Sequence, residues 1–281
     1  MIKFINKFKN IRFGKTSNEL QIVSVGKGTK NIIFLEGGPG NGMSPNILGN
    51  TYYTLMKKLI NKGYTINAVS RKSNLPEHYT IAQMAKDIIE MINLDFGGKV
   101  NAIIGLSMGG FLLQEITIQK PSISEKYILL VSAYKVNNEA CEFDKKYAQL
   151  FSKGKYKEAL LHIGNKLSSS KIKNIFFKIG VILFGNSTSK RMVKQTSKTY
   201  SSDILVEVEA EIKFNFKKSL NKITVPILII GVDKDFWFSP KLYKTTAKLI
   251  PQGKLIMLKG RGHIDVMDKK VNSIIRNYIL S

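Results

Sequence analysis

The sequence predicts a three-layer α/β fold, with a mostly parallel central sheet interrupted by an inserted helical block. Two observations carry this. Apolar strand-like runs alternate with amphipathic segments in the first half and again near the end of the chain, the pattern of parallel βαβ units. Between about Val136 and Phe216 that alternation stops and only helical patterns are visible, broken by polar stretches at Ser168-Ser170 and Ser187-Ser189. The expected division is a core formed by 1–135 and 217–281 and a helical cap at 136–216. At 281 residues the chain can bury one large core with such an insertion.

The elements follow in order. Leu20–Val25 reads as a short strand ending at Gly26-Lys27-Gly28, and Asn31–Leu35 as a buried strand running into the loop Glu36-Gly37-Gly38-Pro39-Gly40. Tyr52–Asn61 has helical spacing and stops before Gly63, and Tyr64–Ser70 is the next strand. Thr80–Ile92 is the clearest helix, with Ile81, Met84, Ala85, Ile88 and Met91 on one face. Val100–Gly105 is a strand, followed by Ser107 and a helix to about Gln119 that Pro121 closes. Tyr127–Ser132 is a strand. After the helical block come a strand at Ile227–Ile230, a helix at Leu242–Leu249, a strand at Leu255–Leu258 and a final amphipathic helix over Ile264–Leu280.

Composition narrows the class. Apolar residues make up 43% and charged residues 23%, which argues for a globular protein and against disorder. Met1–Phe13 lacks the continuous apolar core of a secretory signal, and the run Ile175–Phe184 is too short to span a bilayer. The single cysteine, Cys141, forms no internal disulfide, so a cytoplasmic location is the expectation. The net charge of +24 comes almost wholly from lysine, since Arg12, Arg71, Arg191, Arg261 and Arg276 are the only arginines. With abundant Asn and Ile, this reads first as a compositional bias and second as a weak attraction to an anionic membrane surface. No arginine-fork or clustered-aromatic motif points to nucleic acid.

The strongest local signal is Gly105-Leu106-Ser107-Met108-Gly109, between a strand and a helix. A serine on so sharp a turn presents its hydroxyl above the sheet. The flanking residues must be small because strand and helix nearly touch, and the N–H groups that follow lie at a helix N-terminus. Gly110 reads as a helix-packing residue. A serine nucleophile needs a base, and only three histidines exist. His78 reads as a surface loop residue and His162 as a surface or cap-packing residue. His263, in the loop leaving the last strand, is the candidate base, because sites of α/β folds assemble at the carboxyl ends of strands. The acid should follow the strand Ile227–Ile230: Asp235 is preferred and Asp233 is the alternative. Asp265 and Asp268 read as charges at the start of the final helix. No His, Cys or carboxylate cluster has ligand spacing, so neither metal nor organic cofactor is expected.

These residues resemble the α/β-hydrolase superfamily, in its group of small serine esterases and lipase-like hydrolases with a helical cap. The order Ser107, Asp235, His263 matches that of the family. Glu36-Gly37-Gly38-Pro39-Gly40 resembles the family's HGGPG oxyanion loop, and Tyr79–Asp87 the helix ahead of its nucleophile strand. Asp235–Pro240 and Gly262-His263 resemble the segments bearing acid and base. The likeness runs from about Leu20 to Leu280, the cap excepted. It implies an α/β-hydrolase fold and an acyl-enzyme mechanism, with the oxyanion held by the backbone N–H of Gly38 and of Met108. One residue departs from the pattern: Glu36 stands where the family usually has histidine, and a carboxylate there opposes an oxyanion unless it points away.

The expected activity is hydrolysis of a small or medium acyl ester. Alternatives are an inactive or weakly active binding protein, which Glu36 favours, and an aminopeptidase-like amide hydrolase. Proline iminopeptidases share the HGGPG loop but typically carry tryptophan at the position of Met108, which ranks that alternative lower. Phe176, Phe177, Val181, Ile182 and Phe184 read first as cap packing, with an acyl pocket or lipid contact as the other uses.

Overall fold

The computed structural model describes residues 3–196 and 199–281 and, within them, all side chains except those of Phe4 and residues 184–196. Nine strands form one sheet: β1 (Lys3–Asn6), β2 (Ile11–Lys15), β3 (Gln21–Val25), β4 (Lys30–Leu35), β5 (Tyr64–Val69), β6 (Val100–Leu106), β7 (Ser124–Leu130), β8 (Ile227–Val232) and β9 (Gly253–Leu258). Their order is β1-β2-β3-β5-β4-β6-β7-β8-β9. β1, β2 and β3 pair antiparallel, β3 meets β5 antiparallel, and every later pairing is parallel.

Helices cover both faces of the sheet, which is why its central strands are almost continuously apolar. The period of two divides each strand between the faces. Ile33 and Leu35 pack with α2 (Ile81–Asp95), α3 (Gly109–Gln119) and α8 (Pro240–Leu249); Ile32 and Phe34 pack with α1 (Pro45–Ile60) and α9 (Lys269–Leu280). Between β7 and β8 lie α4 (Asn138–Ser152), α5 (Tyr156–Gly164), α6 (Lys171–Thr196) and α7 (Tyr200–Lys213). Ser168-Ser170 precedes α6, whereas the backbone of α6 continues through Ser187-Ser189.

Several boundaries differ from the sequence-based expectation. α1 begins at Pro45, ahead of Tyr52, because proline suits the first helical turn. α2 is fixed by a capping box between Thr80 and Gln83. α9 starts at Lys269 and not at Ile264, since the Asp268 side chain caps it by accepting from Val271 N. Asp265 is not a helix charge. It accepts hydrogen bonds from Gly262 N, Ser168 Oγ and Ser169 N, and an ion pair from Lys173. Strands β1 and β2 were not expected from the sequence; they are short, lie at the edge and carry lysines.

Candidate active site

Three carboxyl ends of strands converge. Ser107 follows β6, Asp235 follows β8 and His263 follows β9, and the register that pairs Val232 with Leu258 brings the last two loops side by side. Ser107 has φ +51°, a left-handed conformation that costs energy for any residue but glycine or asparagine. The elbow is held by Ser107 N donating to Leu130 O at 2.9 Å and by Gly110 N donating to Ser107 O at 2.8 Å. Its glycines have no room for a side chain. A Cβ on Gly105 would stand 2.6 Å from Gly109 O, and one on Gly109 would stand 2.3 Å from Leu35 O. Gly110 packs against Ser132 in the same way, at 2.4 Å.

His263 Nε2 lies 3.0 Å from Ser107 Oγ, and His263 Nδ1 lies 2.9 Å and 3.0 Å from the two oxygens of Asp235. Asp235 is buried and also accepts from Trp237 N, Phe238 N and Tyr243 Oη, so its charge is met by four donors. Asp233 is not part of this chain, for its carboxylate accepts from Arg261 N at 3.2 Å. His78 is exposed beside Glu209, and His162 stacks on Phe143 while its Nε2 meets Phe143 O. Neither is near Ser107 through any contact described.

Around this chain stand groups that sequence reasoning missed. The indole of Trp237 lies 4.8 Å from the His263 ring, and its Nε1 donates to both oxygens of Asp144 on α4. Burial pushes the Asp144 carboxyl up to about 7 against the lowering effect of that indole bond. Arg71, just past β5, binds Glu207 of α7 through Nε at 2.9 Å and Nη2 at 3.1 Å. It also donates to Glu36 O, Gly37 O and Gly40 O, while Gly40 N donates to Glu207. The loop 36–40 is thereby fastened to α7. Glu211, one turn on, is buried, and its Oε2 has no hydrogen-bond partner among the described residues; burial holds its carboxyl well above the usual range. The rarity of arginine in so lysine-rich a chain is the one sequence signal that could have flagged Arg71.

Glu36 itself accepts a hydrogen bond from Tyr52 Oη of α1 at 2.6 Å. Burial raises its carboxyl to about 7, against the lowering influence of Tyr52 and Arg71. The loop stands next to the elbow: a Cβ on Gly37 would lie 3.4 Å from Ser107 Cβ, and one on Gly38 would lie 3.0 Å from Met108 Sδ. Among the described residues, neither Gly38 N–H nor Met108 N–H meets an acceptor.

The family model for the alpha/beta hydrolase fold matches residues 30–270. A protein described as a probable acyltransferase of Methanothermobacter thermautotrophicus is 27% identical over 234 residues, covering 73% of this chain and 68% of that one. Among solved structures, the esterase EaEST of Exiguobacterium antarcticum superposes with a TM-score of 0.71 at 19% identity, covering 96% of this chain and 99% of the other. A bromoperoxidase of Bacillus anthracis gives a TM-score of 0.71 at 17% identity, covering 96% and 100%. These structural likenesses extend over the whole fold.

Proposed function

As the chain belongs to the alpha/beta hydrolase fold family, we propose that it is a serine hydrolase that cleaves a small or medium acyl ester through Ser107, His263 and Asp235. The observation that carries this reading is the continuous hydrogen-bonded chain Ser107 Oγ, His263 Nε2, His263 Nδ1 and Asp235 carboxylate, with separations of 2.9–3.0 Å. Asp235 keeps the proton on Nδ1, which leaves Nε2 free to take the Ser107 proton as Oγ attacks the ester carbonyl. The imidazolium then protonates the leaving alcohol. Water, deprotonated by the same nitrogen, releases the acid from the acyl-serine.

The oxyanion is assigned to the N–H groups of Gly38 and Met108, whose lack of acceptors supports that role. Two features of Glu36 support turnover: Tyr52 gives its carboxyl a partner on α1, and burial raises its pKa to about 7, where much of it is neutral. The helices α4–α7 are read as a cap over the site. Acyl transfer to an acceptor other than water needs only a different second nucleophile, and the acyltransferase relative makes it the second reading.

Short p-nitrophenyl esters should be hydrolysed, and a fluorophosphonate probe should label Ser107. Ser107→Ala should abolish labelling and lower kcat by about 10⁶-fold. Equal turnover by the variant, or no labelling of the folded wild-type protein, would sink the proposal; the latter outcome would favour a binding protein. Product analysis with an added alcohol separates hydrolysis from transfer.

A further inference from the structure

We propose that α6 docks this protein on an anionic phospholipid bilayer, its apolar stripe entering the headgroup boundary and its lysines meeting the lipid phosphates. The stripe is Ile172, Ile175, Phe176, Ile179, Ile182 and Leu183, each between 47% and 69% exposed. At 3.6 residues per turn these six fall within an arc of about 120°. They account for six of the thirteen exposed large apolar side chains among the described residues. The helix does not hang free, since its other face is seated on the protein: Val181 is buried and Phe177 packs on Gly164 of α5.

Packing therefore explains Phe177 and Val181, as expected from the sequence, but not Phe176 or Ile182. The Phe184 side chain lies outside those described.

Charge identifies the occupant. From Ala159 to Ser202 the chain has eight lysines and arginines and not one aspartate or glutamate, and of the eight Lys166 and Lys173 are paired with acids from elsewhere, Glu139 and Asp265. At the chain's own average of 20 acidic residues in 281 that stretch would hold about three. Lysine bias alone accounts for the cations, but not for the missing acids or for their coincidence with an exposed apolar stripe. Lys171 and Lys178 border the stripe on one side, as in helices that lie in a membrane interface. A nucleic acid would have no use for the stripe. A two-fold pairing of copies would bring these lysines toward their own equivalents. No helix among the described residues is long and apolar enough to cross a membrane, so α6 would lie on the bilayer.

The test uses the full chain and sedimentation with vesicles of phosphatidylcholine, either pure or with about one-third phosphatidylglycerol. The partition coefficient should be at least tenfold higher with the anionic lipid and should fall when NaCl is raised to about 0.5 M. Ile172→Asp with Ile179→Asp should lower it at least tenfold, with thermal stability and cleavage of a soluble short ester unchanged. Lys171→Gln with Lys178→Gln, which leaves the stripe intact, should lower it about fivefold or more. Equal binding to neutral vesicles, or unimpaired binding by the Ile172/Ile179 variant, overturns the proposal. So does a wild-type dimer that this variant dissociates and that does not bind vesicles. Because the readout is binding, failure here leaves the hydrolase reading standing, and failure of Ser107 chemistry leaves this one standing.

Discussion

Replacing Arg71 with methionine removes the cation from a fully enclosed ion pair, whose side chains are 2% and 0% exposed. Glu207 would keep only its bond from Gly40 N among the contacts described, and three loop carbonyls would lose their donor. Removing one partner of a buried pair costs about 3–5 kcal/mol, because the remaining charge stays desolvated. For a domain of this size about 2–4 °C is lost per kcal/mol, so Tm should fall by about 6–20 °C. On the proposed mechanism, activity on a short ester should fall about 100-fold, since the Gly38 N–H proposed to hold the oxyanion would lose its fixed position. The double variant Arg71→Met with Glu207→Leu separates the two effects. Apolar replacement of both partners should restore most of the stability, as it removes the orphaned charge. It should not restore the rate, because the carbonyls of Glu36, Gly37 and Gly40 remain unheld. Calorimetry and ester kinetics on the two variants decide the matter. A Tm for Arg71→Met within about 2 °C of wild type, or a double variant with full activity, would refute the view that this pair holds the loop.

Glu36→Gln should make stability less dependent on pH. The native carboxyl holds its proton up to about pH 7, whereas the unfolded one loses it near 4.5. The native state therefore binds more protons across that window, and wild-type stability falls as the pH rises through it. The glutamine variant should exceed wild type by about 1–3 kcal/mol at pH 8 and match it at pH 4, as read by urea unfolding at both. Asp235→Asn should lower kcat by about 10⁴-fold, because the amide no longer fixes the Nδ1–H tautomer; near-normal turnover would remove Asp235 from the mechanism. Gly109→Ala should cost about 3 kcal/mol or more, or prevent folding, as its Cβ would stand 2.3 Å from Leu35 O; an unchanged Tm would contradict the close approach.

The readable part of this chain was its local part. Strands β4 to β8 were legible because burial on both faces leaves a largely apolar run, and Ser107, Asp235 and His263 because each lies in the loop or turn that leaves the carboxyl end of a strand, β6, β8 and β9. The structure brings these three within hydrogen-bond reach although 156 positions separate Ser107 from His263. Boundaries set by capping were less legible, as at Pro45 and Asp268. The contacts of Arg71 with Glu207 and of Trp237 with Asp144 were not legible at all. They join the helical block to the core across 136 and 93 positions, and no periodicity encodes such a distance.

Those long-range contacts explain why the helical block cannot be treated as an ornament on the core. It grips the site from two sides. Through Glu207 and Arg71, α7 holds the loop that bears Gly38; through Ser168 and Ser169 ahead of α6 and Lys173 in its first turn, the entry to α6 holds Asp265, two residues from His263. Asp265 is strongly committed to that latch: the hydrogen bonds from Lys173, Gly262 and Ser169 outweigh burial and hold its carboxyl below the usual range. A displacement of α6 relative to the sheet would therefore reach the His263 loop directly, while one of α7 would reach the loop 36–40. Asp265→Asn keeps the volume and weakens the ionic half of the latch, so it should lower kcat on a soluble ester with little change in KM. A variant with the same kcat as wild type would show that the His263 loop holds its position without α6.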